Sequence, residues 1–120
     1  MKAKDKAKVV ASLLIDKKGL DVRVLDLAEL NTFTDFLVIA TGTSQRHARA
    51  LAEEVEASSR ITGEPTLGVE GTDPGRWILI DLGDVVVHVF QEEARMHYAL
   101  ERLWGEAEPV LLTRAAGDVA

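Results

Sequence analysis

Apolar residues along this chain change period several times, and each change predicts an element. Val10, Leu13 and Leu14 recur at helical spacing, with Val9 beside them and Lys17 continuing the row, which predicts a helix over 2–18. Gly19 stands just past its end, and Lys17 and Lys18 suit the negative end of its dipole. The lysines of its first half read as a solvated helix face rather than the rarer alternative, a basic arm for RNA. Over 21–27 the period drops to two, with Val22 and Val24 on one side of a strand and Leu25 and Leu27 on the other. Asn31-Thr32 marks a turn. Phe36-Leu37-Val38-Ile39-Ala40 is a continuous apolar run of strand length, the pattern of a central strand covered on both faces. Thr41-Gly42-Thr43-Ser44 leads into a second helix running to about Thr62, with Ala48, Leu51, Ala52 and Val55 as its apolar stripe and Thr43 or Ser44 as its cap. Arg49/Glu53 and Glu56/Arg60 are spaced to pair on its wet side. Gly63-Glu64-Pro65 stops it, Leu67 to Val69 reads as a short strand, and 70–75 is a loop.

Two β-branched runs, 77–81 and 85–90, then flank a turn containing Gly83, which predicts a hairpin. With Leu82-Gly83 as the loop, Asp81 faces Asp84, Ile80 faces Val85, Leu79 faces Val86, Ile78 faces Val87 and Trp77 faces His88. One face carries Ile78, Ile80, Val85, Val87 and Val89 and reads as core. The other carries Trp77, Leu79, Val86, His88 and Phe90, and reads either as a second core face covered by helices, the commoner case for buried aromatics, or as an interface, with Trp77 at the open end leaning to the interface. A last helix over 91–105 shows Met96, Leu100, Leu103 and Trp104 in a stripe, with Ala107 in line. From Pro109 to Ala120 no period is evident, so 1–108 reads as the domain and 109–120 as a loose tail. The order α-β-β-α-β-β-β-α describes one α/β domain, a mixed sheet with flanking helices.

Composition narrows what such a domain does. With 120 residues, 47% of them hydrophobic, the chain suits a single globular core. The absence of cysteine excludes disulfides, thiolate metal sites and a cysteine nucleophile. No apolar run approaches the roughly 18 residues of a membrane span, and the charged start followed by a short apolar run is not a secretory signal. No extension precedes the domain to serve as an organelle presequence, so a cytoplasmic location is expected. A net charge of −6 argues against gripping nucleic acid through its phosphates and favours a basic protein partner, or none.

Candidate chemistry is sparse. No two of His47, His88 and His97 share the helix spacing of a zinc motif, and Asp81 and Asp84 are ordinary turn acids. Gly42-Thr43-Ser44 resembles an anion-cradling turn but lacks the lysine of a P-loop and the spaced glycines of a dinucleotide fingerprint. Strand, turn and helix also open nucleotidyltransferases, which need a carboxylate pair on the following strand to hold magnesium. Here Glu54 and Glu56 lie mid-helix, with side chains about 200° apart around the axis. No catalytic residue, metal ligand or cofactor is therefore assigned. The partly aromatic hairpin face is left as the unusual feature. Trp77 heads its strand and should be less covered than Leu79, in the manner of an interface anchor.

Asp35-Phe36-Leu37-Val38-Ile39-Ala40-Thr41-Gly42-Thr43-Ser44, followed by Arg46-His47, resembles the signature of the ribosomal silencing factor family, also called Iojap-like. So do Glu70-Gly71, Trp77, Gly83-Asp84 with Val86-Val87-His88 and Phe90, and, in the last helix, Arg95, Tyr98, Leu100-Glu101 and Leu103-Trp104. Phe36 stands where tyrosine is frequent in that family. The resemblance implies a nucleotidyltransferase-like fold without enzymatic activity. It also implies binding to the large ribosomal subunit through large-subunit ribosomal protein fourteen, blocking of small-subunit joining when nutrients are short, and a homodimer when free. The partner-binding residues expected on this reading are Trp77, Leu79, His88 and Phe90 with Glu70 at the rim, then Arg95 and Tyr98 on the last helix. The alternative is a degenerate nucleotidyltransferase or nucleotide-binding domain built around Ser44. It lacks an Asp-x-Asp on a strand after the first helix of the core.

Overall fold

The computed structural model describes residues 1–28, 34–92 and 108–110. Helix α1 (Ala3–Asp16) buries Ala7, Val10, Ala11 and Leu14 completely, so two alanines complete the stripe that the larger residues only outlined. Lys18, not Gly19, takes the left-handed conformation after it (φ 67°). Gly19 is required for a different reason: a Cβ there would lie 2.8 Å from the Leu14 carbonyl oxygen, to which the Gly19 N–H donates.

Among the described residues the sheet has six strands in the order β3-β4-β5-β2-β1-β6. They are β1 (Leu20–Asp26), β2 (Phe36–Gly42), β3 (Gly68–Glu70), β4 (Trp77–Asp81), β5 (Val85–Gln91) and the two-residue β6 (Glu108–Pro109). Strand β2 is buried along its whole length, antiparallel to β1 and parallel to β5. A parallel neighbour needs a crossover, and helix α2 (Gln45–Ala57), followed by the short α3 (Ser59–Thr62), lies within it. α1 and α2 pack on the same face of the sheet, over Val22, Val24, Val38, Ala40, Ile78, Ile80, Val85, Val87 and Val89. The opposite face holds a second cluster of Leu25, Leu27, Leu37, Ile39 and Phe90.

The hairpin register differs from the expected one by two residues. Trp77 pairs with Phe90, Leu79 with His88 and Ile80 with Val87. The turn is Gly83-Asp84, closed by the Leu82 N–H donating to the Val85 carbonyl at 2.9 Å. Burial explains the shift. In a Leu82-Gly83 loop the leucine would sit in water, whereas in the ladder it is 4% exposed. Gly83 takes φ 89° and its N–H is accepted by Asp81 Oδ1, so the turn residues are the small and polar ones.

Pro109, expected to begin a loose tail, pairs with Leu25, and the Val110 N–H donates to Val24 O. The expected last helix, with Arg95, His97 and Tyr98, and the tail after Val110 lie outside the described residues.

Candidate functional site

The face of the sheet opposite α1 and α2 carries the aromatic cluster. Trp77 is 36% exposed, His88 6% and Phe90 0%. The indole and Phe90 rings stack at 5.2 Å and 28°, as direct cross-strand partners. His88 sits diagonally from Trp77, ring centroids 5.8 Å apart. Trp77 Nε1–H donates to His88 Nδ1 at 2.8 Å. That bond leaves the imidazole proton on Nε2. Burial pushes the His88 pKa down from 6.5 to about 4, so the ring is neutral near pH 7.

The sheet brings five of the expected residues together. Trp77, Leu79, His88 and Phe90 share the face, and exposed Glu70 on β3 pairs directly with half-buried Leu79. Their burial divides them. Trp77, Leu79 and Glu70 reach solvent, while His88 and Phe90 lie in the layer beneath. Arg95 and Tyr98 fall outside the described residues.

Both ends of the hairpin are held by contacts that the sequence pattern did not reveal. At the open end, the loop 71–76 folds back on the start of β4. Gly71 (φ 84°) makes this possible, because a Cβ there would lie 2.1 Å from the Trp77 carbonyl oxygen. Helix α2 clamps the same loop. Gln45 Nε2 donates to Pro74 O, Arg49 Nε to Thr72 O at 2.9 Å, and Arg49 Nη2 to Asp73 Oδ1 at 3.3 Å. Arg49 thus reaches the loop in place of its expected pairing with Glu53. From β5, the Gln91 N–H donates to Arg76 O at 2.9 Å and its side chain to Gly75 O at 3.1 Å.

At the turn end, Lys6 corrects the reading of a wet lysine face. It is 2% exposed and reaches from α1 to Leu82 O (2.6 Å), Asp84 Oδ1 (2.8 Å) and Glu64 Oε1 (3.3 Å). An ammonium taken out of water is tolerable only with such partners.

The Gly42-Thr43-Ser44 turn is filled by its own chain. Ser44 is the N-cap of α2, its Oγ accepting the His47 N–H at 3.0 Å. Thr43 N–H donates to His47 Nδ1 at 3.0 Å, and His47 Nε2–H donates to Lys17 O at 3.0 Å. His47 therefore ties the turn to the end of α1. A Cβ on Gly42 would lie 2.8 Å from the Ala48 nitrogen, so glycine lets β2 and α2 approach. Among the described residues no group of three or more His, Asp or Glu side chains is placed to hold a metal ion, and no helix is long and apolar enough to cross a membrane.

Fold and site together define a small acidic α/β domain, with α1 and α2 on one face of a mixed sheet and an aromatic cluster on the other. The family profile described as "Ribosomal silencing factor during starvation" matches residues 1–119, and the chain belongs to that family. The chain is 38% identical over 107 residues to the Ribosomal silencing factor RsfS of Bacillus subtilis, covering 89% of this chain and 91% of that protein. A crystal structure of a Chromobacterium violaceum protein superposes with a TM-score of 0.84 at 37% identity, covering 97% of each chain. The mouse protein named "Mitochondrial assembly of ribosomal large subunit protein 1" is 31% identical over 80% of this chain and 43% of its own length.

Proposed function

We propose that this protein represses translation by docking on the large ribosomal subunit through the Trp77 side of the hairpin. The bound protein stands where the small subunit would join. The contact is large-subunit ribosomal protein fourteen, and the repression operates in the cytoplasm when nutrients are short. Free chains pair as homodimers. The observation that carries the docking face is a one-third-exposed tryptophan seated on a packed layer, with Leu79 and the exposed acid Glu70 beside it. Interface anchors have this form: a large apolar side chain on a rigid support, rimmed by polar groups. The net charge of −6 suits a basic partner, and the family membership and the mouse relative's name point to the large subunit.

On this reading the protein is not an enzyme. Its nucleotidyltransferase-like character is a likeness of fold: β2, the Gly42-Thr43-Ser44 turn and α2 follow one another as in those enzymes, while Glu54 and Glu56 lie on the helix.

The test is co-sedimentation with isolated large subunits, with small subunits as the control, comparing the parent with Trp77→Ala. The parent should pellet with large subunits, and Trp77→Ala should weaken binding by roughly 2 kcal/mol or more, about thirtyfold. A folded Trp77→Ala that binds like the parent would move the docking surface elsewhere.

A further inference from the structure

We infer that His88 is a positioning residue for docking. It holds the Trp77 indole against the sheet through the Nε1–H to Nδ1 bond, so that the anchor is set before a partner arrives. The inference rests on the docking reading above and gives His88 a role that direct contact does not explain. A side chain 6% exposed has almost no surface to offer a partner. Its neighbours account for the rest of the arrangement. Phe90, fully buried, supports the indole face from directly across the ladder at 5.2 Å, and the His88 ring lies near-parallel to Phe90 at 6.1 Å and 14°. Stacking sets the spacing of the ring planes but not the direction in which the Nε1–H points. The hydrogen bond, 2.8 Å long and made to a buried acceptor, sets that direction, because turning the Nε1–H elsewhere leaves the buried Nδ1 without its donor. The clamped 71–76 loop fixes the backbone of Trp77, and His88 fixes its ring. An anchor ordered in advance loses less conformational entropy on binding. Because Nε1–H is consumed inside the protein, the indole presents carbon surface to the partner.

The experiment compares the parent with His88→Leu, which fills the space without an acceptor, and with His88→Asn, whose Oδ1 stands near the position of Nδ1. Binding to isolated large subunits is measured for all three and for Trp77→Ala. The indole N–H of Trp77, identified by its loss in Trp77→Phe, is followed by NMR for its solvent exchange in the free protein. The expected result is slow indole exchange in the parent and in His88→Asn, and fast exchange in His88→Leu. His88→Leu should bind about five- to tenfold more weakly, with His88→Asn restoring most of the affinity. Parent-like binding by His88→Leu, or equal loss in both His88 variants, overturns the inference while leaving the docking face intact. Parent-like binding by Trp77→Ala overturns the docking face itself and the inference with it. If His88→Leu does not fold, the parent's indole exchange and the affinity of His88→Asn decide: fast exchange in the parent, or an unrescued His88→Asn, overturns it.

Discussion

Acid should destabilise this protein through one imidazole before it does so through bulk charge. His88 is buried and neutral, with a pKa lowered by desolvation to about 4 against 6.5 in the unfolded chain. Between these values the unfolded state binds a proton that the folded state refuses, so stability rises with pH across that window. The contribution is fully present above pH 6.5 and is lost as pH falls toward 4. At 1.36 kcal/mol per pKa unit, the displacement corresponds to about 3 kcal/mol, a large fraction of the 5–15 kcal/mol that holds typical domains folded. Carboxylates titrate in the lower part of the same range, so the parent curve alone does not isolate His88. The measurement is urea unfolding at half-unit steps from pH 8 to 4, for the parent and for His88→Asn, which keeps an acceptor for Trp77 but does not titrate. The parent should lose stability relative to His88→Asn by about 3 kcal/mol over that range, most of it between pH 6.5 and 4. Two curves that run parallel throughout would show that His88 is not the group responsible and that its site is better hydrated than the packed sheet face implies.

Three further outcomes follow from the clamps and caps. Ser44→Ala removes the acceptor of the His47 N–H and should cost about 0.5–2 kcal/mol in urea unfolding, with large-subunit binding unchanged in the folded protein. Lys6→Met keeps the stem's packing but frees Leu82 O, Asp84 and Glu64; with both carboxylates still partly hydrated, the unfolding free energy should fall by about 1–3 kcal/mol. Gly71→Ala forces a Cβ against the Trp77 carbonyl at a left-handed φ and should cost on the order of 3 kcal/mol, whereas Gly63→Ala, left-handed in open space, should cost about 1 kcal/mol; equal melting temperatures for the two would refute the close approach at Gly71.

Which side of each strand a residue occupies was legible from the sequence. Val22 and Val24 go to the helix-covered face, Leu25 and Leu27 to the other, and β2 is central and wholly buried. The alternation of side chains is a local property of extended backbone, and it survives even a wrong register. A slip of two residues in the hairpin changed every cross-strand partner and left both faces as expected, because the period is two. The candidate cluster was found for that reason, and Ser44 was among the expected caps because capping needs only the next three residues. The pairing of Trp77 with Phe90, and the His88 hydrogen bond that follows from it, waited on where Leu82 could be buried. The burial of Lys6 and the turning of Arg49, Gln45 and Gln91 onto the 71–76 loop depend on partners 15 to 78 positions away along the chain. A lysine or arginine at helical spacing reads the same whether its tip meets water or a carbonyl from another element, and only the packing of α1 and α2 on a single face of the sheet decides which.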